Sequence, residues 1–271
     1  CHERKKDSCA TGLPQKEPLT SDKHRDLEGC PLEEKISEMN LLKSQGLSLA
    51  ALCVVTIDNP LVAATGHRIC NDCSAACIFQ KQDPVDIPGI ETQNLKDVLN
   101  LPWGFEIYAL LTRWNPLRFD SIFPKESTGG RALVVGMGPA GFTLAHYLLQ
   151  EGHTVVGVDG LKIEPLPRIF VDTPIKEASL LFEDLGQRII GGFGGVAEYG
   201  ITVRWDKNFL TIIRLLLERR NNFRLHGGVR FGSTMTPDQA LKGLKDDAVF
   251  DHVALCAGAG QPNLIPLKNA L

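Results

Sequence analysis

RALVVGMGPAGFTLAHYLLQEGHTVVGVD, residues 131–159, decides the fold. Its first six residues, RALVVG (131–136), are β-rich and apolar and predict a strand. AGFTLAHYLLQEG (140–152) has the spacing of an amphipathic helix, and HTVVGVD (153–159) predicts a second strand. Strand, helix and strand in that order make a βαβ unit, which implies a parallel sheet. Gly136-Met-Gly138-Pro139-Ala140-Gly141 fits G-x-G-x-x-G where the first strand gives way to the helix. There Gly136 makes the tight turn, Gly138 lets a pyrophosphate approach the backbone, and Gly141 lets helix and strand pack closely. The free N–H groups and positive dipole end of the helix at Pro139–Phe142, which takes in Ala140, favour phosphate. Asp159 ends the second strand 18 residues after Gly141, where a carboxylate accepts hydrogen bonds from a ribose and repels a 2′-phosphate. The plain alternative is a strand–helix turn that binds nothing.

Outward from this unit the rhythm changes. NPLRFDSIFPKESTGG (115–130) holds two prolines and a glycine pair and reads as a boundary. The expected organisation is one domain over 1–118, a linker over 119–130 and a second domain from 131 to 271. In the first, PLEEKISEMNLLKSQG (31–46) predicts a helix opened by Pro31 and stopped at Gly46. SLAALCVVTID (48–58) is apolar and short, so helix and buried strand both fit. Helices are expected from about Glu91 to Asn100 and from about Gly104 to Trp114. Beyond Asp159, residues 161–195 form a Pro- and Gly-rich excursion. A helix over about 207–220, a strand near 223–225 and a final buried strand over 250–258 follow.

Composition sets bounds on function. The chain has 271 residues, 43% hydrophobic and 23% charged, which excludes a mainly disordered protein. Its 29 basic and 32 acidic side chains leave a net charge of -3, against a nucleic-acid carrier or a polybasic membrane binder. CHERKKDSCATG at the start lacks the apolar core of a secretory signal, and no apolar stretch reaches a membrane span. A start at Cys1 rather than Met points to a fragment or a trimmed product.

Seven of the eight cysteines lie within the first 77 residues, and only Cys256 lies beyond. A long Cys-poor segment after a Cys-rich one reads as a reduced, cytoplasmic protein whose thiolates gather for a metal, with disulfides as the alternative. Cys70-x-x-Cys73-x-x-x-Cys77 puts three thiols into eight residues. Zinc ribbons use two separated C-x-x-C pairs, whereas iron–sulfur clusters use closely spaced thiolates and a remote ligand. Cys30, followed by Pro31 at a helix start, suits the remote role. Cys53 and Cys256 read as core residues.

TGHRICNDCSAAC (65–77), PVDIPGIE (84–91) and GMGPAG (136–141) together resemble the small subunit of glutamate synthase and the N-terminal region of dihydropyrimidine dehydrogenase. The resemblance is strong over 59–114 and 131–159 and weaker over 160–260. It is nearest a branch described as FAD-dependent pyridine nucleotide-disulfide oxidoreductases, although no redox cysteine pair accompanies the flavin fold. It implies an α+β protein: an α-helical iron–sulfur domain, then the first, incomplete part of a Rossmann-like α/β FAD-binding domain. One 4Fe–4S cluster would take Cys30, Cys70, Cys73 and Glu91. A second would take Cys1, Cys9, Cys77 and a thiol upstream. From the residues alone, Glu91 reads instead as a helix-start carboxylate favoured by the dipole. The resemblance also implies flavin contacts at Gly195, Tyr199 and Gly200 in GGVAEYGI (194–201), adenine contact at Val229, and a closing turn at Gly258 in CAGAG (256–260).

The expected activity is electron transfer from NAD(P)H through FAD and the clusters to an acceptor subunit or domain, glutamate-synthase-like or pyrimidine-reductase-like. The nicotinamide site would lie outside this chain. No general acid–base pair is demanded, so His67, His146 and His153 read as packing or surface residues and Arg68 as an offset to cluster charge. Two other classes remain open at this point: a non-catalytic scaffold and a zinc-containing NAD-binding dehydrogenase.

Overall fold

The computed structural model describes residues 8–11, 29–66, 70–79, 82–119, 123–184, 208–242 and 250–258. Among the described residues up to 119 the regular elements are all helices: α1 (Ser8–Thr11), α2 (Ile36–Ser44), α3 (Ser48–Asp58), α4 (Val62–Thr65), α5 (Asp72–Ala75), α6 (Ile87–Leu99) and α7 (Gly104–Arg113). The ambiguous apolar run is a helix, α3, and every residue from Ala51 to Thr56 is buried. It packs between α2 and α6, and a helix covered on several sides has no need of a polar face.

Two helix starts differ from expectation. The run beginning at Pro31 becomes helical only at Ile36. A turn closed by Glu33 N–H on Cys30 O, with Glu33 at φ 52°, replaces the expected first helical turn. This irregular entry sends Glu34 inward, where it is 5% exposed. α6, in contrast, begins earlier than predicted, because the Asp86 side chain accepts from Gly89 N–H as an N-cap and Pro88 occupies the first turn. Glu91 is thus not a helix-start carboxylate: it sits inside α6 and is 6% exposed.

The rest of the chain builds β1 (Arg131–Val135), α8 (Pro139–Gln150), β2 (Thr154–Val158), α9 (Arg168–Asp172), a 3-10 turn (Ala178–Leu181), α10 (Asn208–Glu218), β3 (Phe223–His226), α11 (Pro237–Lys242) and β4 (His252–Leu255). The four strands are parallel in the order β3-β2-β1-β4. That is the order of the first four strands in doubly wound nucleotide-binding sheets, and it reverses direction between β1 and β4. The final strand is shorter and less buried than the sequence predicts, with Leu255 69% exposed. Among the described residues β4 is an edge strand, packed by α11.

α10 joins the two halves. It touches α4 and α7 on one side and α8 and β3 on the other. Phe209, Leu210, Ile212, Ile213 and Leu215–Leu217 are all buried, and one hydrophobic core runs from Leu52, Val62, Leu95 and Phe105 to Val134, Phe142 and Phe223. Arg214 is the buried charge on this helix, and it forms a 2.6 Å ion pair with Glu218. Among the described residues no helix is long and apolar enough to cross a membrane.

Tyr108 on α7 is fully buried, and its hydroxyl donates to Pro60 O at 2.9 Å while accepting from Ala63 N–H at 3.2 Å. It ties α7 to the α3–α4 corner. Tyr108→Phe keeps the ring and strips both bonds, so urea titration should find it about 1–2 kcal/mol less stable than the parent.

Candidate functional site

Two regions carry the predicted site residues. The first lies at the carboxyl ends of β1 and β4, where the strand order reverses. Gly136 follows β1 at φ +91°, and a Cβ there would meet Cys256 O at 2.4 Å. A Cβ on Gly141 would meet Gly136 O at 1.9 Å. The backbones of the turn, the helix and the end of β4 are therefore in contact, as the glycine pattern requires. Gly138 is the N-cap of α8 in an extended conformation, Pro139 and Ala140 open the helix, and no side chain caps it. The first-turn N–H groups of an uncapped helix suit an anionic ligand. Gly258, at φ +76°, stands on the β4 side with nothing within 4 Å of a Cβ there.

Asp159 does more than the sequence suggests. Its Oδ2 accepts from Met137 N–H at 2.8 Å and its Oδ1 from Leu161 N–H at 2.9 Å. One carboxylate thus braces the glycine turn and the loop after β2, and only its remaining lone pairs face outward. Val229 N–H donates to Asp159 O at 2.9 Å, which ties the loop after β3 to the end of β2. Gly195, Tyr199 and Gly200 lie outside the described residues, as do Cys1, His67 and Arg68.

The second region is the cysteine-bearing face of the helical half. α1 packs on α5, and Cys30 N–H donates to Cys9 O at 2.8 Å. Cys9 and Cys77 are both buried and both line a cavity of about 310 Å3, with Ile36, Phe79, Val85 and Ile87 among its walls. Cys73 is buried on α5, Cys30 is half-buried, and Cys70 is exposed. These three surround the Glu91 carboxyl electrostatically: burial pushes Cys73 up to about 12, with Glu91 and then Cys70 adding to the rise. Burial likewise raises Cys30, against which the charges of Glu34 and Glu91 also press.

Glu91 itself is pushed well above the carboxylate range. Burial is the main cause, followed by its hydrogen bond with Glu34 and by the charges of Glu34, Cys70 and Asp86. Glu34 is raised by burial too, though less, because it accepts from Glu91 and Asn59. The sequence reading missed Glu34: an acid just after Cys30-Pro31 reads as a first-turn dipole residue, and only the turn at Glu33 reveals otherwise.

Among the described residues no three His, Cys, Asp or Glu side chains converge tightly enough to hold one metal ion. An iron–sulfur cluster asks for a looser arrangement, since its ligands bind separate irons. Cys30, Cys73 and Glu91, all held protonated by burial, fit a cationic iron centre, which would draw their protons off. The uncapped helix and the glycine approach likewise fit a pyrophosphate-bearing cofactor.

His146 and His153 lie elsewhere. His146 is buried in α8, and burial, followed by the charges of Arg220, Arg118 and Arg113, lowers its pKa to about 3. His153 stands 3.1 Å from Thr128 Oγ1 near the start of β2. Cys53 is buried and donates to Asn115 Oδ1, a packing role.

The chain is 56% identical over 209 residues to an uncharacterized protein of Rickettsia prowazekii (strain Madrid E), a match covering 77% of this chain and 29% of that protein. It is 32% identical over 128 residues to the glutamate synthase [NADPH] small chain of Mycobacterium tuberculosis (strain CDC 1551 / Oshkosh), covering 47% of this chain and 23% of the relative. With the glutamate synthase [NADPH] small chain of Bacillus subtilis (strain 168) it shares 28% identity over 238 residues, 85% of this chain and 37% of the relative. The chain is thus a distant relative of glutamate synthase small chains and spans well under half the length of these proteins. No family model matches it.

Two outcomes follow from this geometry. Gly141→Ala forces a Cβ onto Gly136 O and should cost about 3 kcal/mol in a denaturant titration. In metal-free protein, native Glu91 keeps a proton that the unfolded chain has already released above the carboxylate range. Unfolding free energy should therefore fall as pH rises, by up to about 1.4 kcal/mol per pH unit, and Glu91→Gln should flatten that slope.

Proposed function

We propose that this chain is the cluster-bearing and flavin-binding segment of a cytoplasmic iron–sulfur flavoprotein oxidoreductase. In this reading residues 1–118 form the helical cluster domain, and residues from 131 onward begin a Rossmann-like FAD domain. In the complete protein, electrons enter from NAD(P)H and leave to an acceptor subunit or domain, as the names of the glutamate synthase relatives suggest. When bound, FAD would supply the exchange between two-electron and one-electron chemistry, and 4Fe–4S clusters would supply single-electron transfer.

The observation that carries the reading is the sorting of the thiols. Cys9 and Cys77, far apart in sequence, share one cavity, while the charge of Glu91 raises both Cys30 and Cys73 and the charge of Cys70 raises Glu91. This supports two ligand sets: Cys30, Cys70, Cys73 and Glu91 for one cluster, and Cys1, Cys9 and Cys77 for another. Burial of Cys73 and Glu91 keeps water from the ligands, and the exposed Cys70 leaves that side of the site open toward a partner. On the flavin side, Gly136 and Gly138 would admit the pyrophosphate, the start of α8 would bind its charge, and Asp159 would accept from the ribose.

Anaerobic purification of the chain, with iron, acid-labile sulfide and zinc analysis, tests the proposal. Iron and sulfide should be equimolar, with broad visible absorbance. Cys30→Ser or Cys73→Ser should remove most of the iron, because the second ligand set lacks its upstream thiol in this chain, and Cys9→Ser or Cys77→Ser should lower it less. Stoichiometric zinc without sulfide would overturn the reading.

A further inference from the structure

A cavity of about 360 Å3 between α7, α9 and the end of α10 has no part in either candidate site. Most of the charge on its walls is already matched. The Arg219 guanidinium lies 4.9 Å from the Phe105 ring centre, and each of its nitrogens donates. Nε reaches Phe170 O at 2.9 Å, Nη2 reaches Phe170 O at 2.5 Å and Thr173 O at 2.7 Å, and Nη1 reaches both oxygens of Glu106 at 2.9 and 3.0 Å. Glu106 Oε1 also accepts from Ile175 N–H at 2.7 Å, which fixes that acid in place. Asp172, the other acid on the walls, is paired with Arg168 at 2.9 Å.

Arg113 is the cation left over. It is half-buried on the last turn of α7 and lines the cavity. Among the described residues its guanidinium has no hydrogen-bond acceptor, and its Nε is buried without a partner. The end of α7 makes no use of it either, since Leu110 O accepts from Trp114 N–H at 2.7 Å and Arg113 O accepts from Gln150 Nε2 at 2.9 Å. A desolvated donor left without an acceptor is costly, and a ligand that supplies one is favoured.

We propose that this cavity binds a small monocarboxylate with an apolar body, held by Arg113. The planar guanidinium matches the two oxygens of a carboxylate. The single charge follows from the neighbours: Glu106 and Asp172 stay on the same walls, so a dianion would meet two like charges for one free cation. The apolar body follows from Ala109, Leu110, Val171 and Pro174, which line the remainder of a space larger than a carboxylate alone would fill. None of these residues belongs to the proposed cluster or flavin sites, so the inference stands apart from that reading.

The test uses the full 271-residue chain, with circular dichroism to verify folding of each variant. Saturation-transfer NMR follows titrations with isocaproate, and with isocaproamide, acetate and inorganic phosphate as comparisons. Isocaproate should bind saturably and isocaproamide should not, while acetate and phosphate should each bind about tenfold more weakly or worse. Arg113→Gln should weaken isocaproate about tenfold or more, and Arg113→Lys, which keeps the charge but not the planar fork, several-fold. The lysine variant decides the matter if the glutamine variant does not fold. A parent chain that shows no saturable isocaproate binding would overturn the proposal, as would an amide or phosphate that binds as tightly. Parent-like affinity in the folded Arg113 variants would overturn it too.

Discussion

The burial of α10 is the constraint on which the fold turns. Seven apolar side chains from Phe209 to Leu217 are buried on it, and no single neighbouring surface can cover them all. α4 and α7 close over one side, α8 and β3 over the other, so the helical half and the sheet share one interior. Burying those side chains drives the association of the two halves. Tyr108 adds direction to that packing, because its hydroxyl has to reach the α3–α4 corner for its polar atom to be satisfied.

Sharing an interior has a bearing on how electrons would cross the proposed assembly. The α3–α4–α6 packing that holds Glu91 belongs to the same core as the β1 and α8 residues that shape the glycine turn. The two candidate sites are therefore built on abutting elements and not on modules swinging at the ends of a tether. Close packing of this kind resists relative displacement.

Much of this was legible in the sequence, for identifiable reasons. The βαβ unit is written in local terms: β-branched strands, a helical repeat and glycines at a turn all report on their own neighbourhood. The parallel sheet follows from it. What escaped reading depends on tertiary partners. The start of α2 is set by the turn at Glu33 and by Glu34 facing inward, and α6 gains an extra turn from the Asp86 cap. Glu34 itself looks like any acid near a helix start until Asn59 and Glu91, both distant in sequence, come beside it. Asp159 was placed at the right strand end, yet its service to Met137 and Leu161 N–H depends on loop conformations that the residue pattern does not encode. The glycine positions, conversely, were readable because backbones that approach as closely as those at Gly136 and Gly141 demand a residue without Cβ whatever surrounds them.

The doubly engaged carboxylate of Asp159 has a thermodynamic consequence. Its rotamer freedom is surrendered when the loops after β1 and β2 close on it, during folding. A hydroxyl donor arriving later meets an acceptor that is already immobile, so association forfeits little further entropy at that point. Rigidity of this sort favours a ligand whose hydroxyls are themselves held in a ring over one that has to straighten a floppy chain to reach the same oxygens.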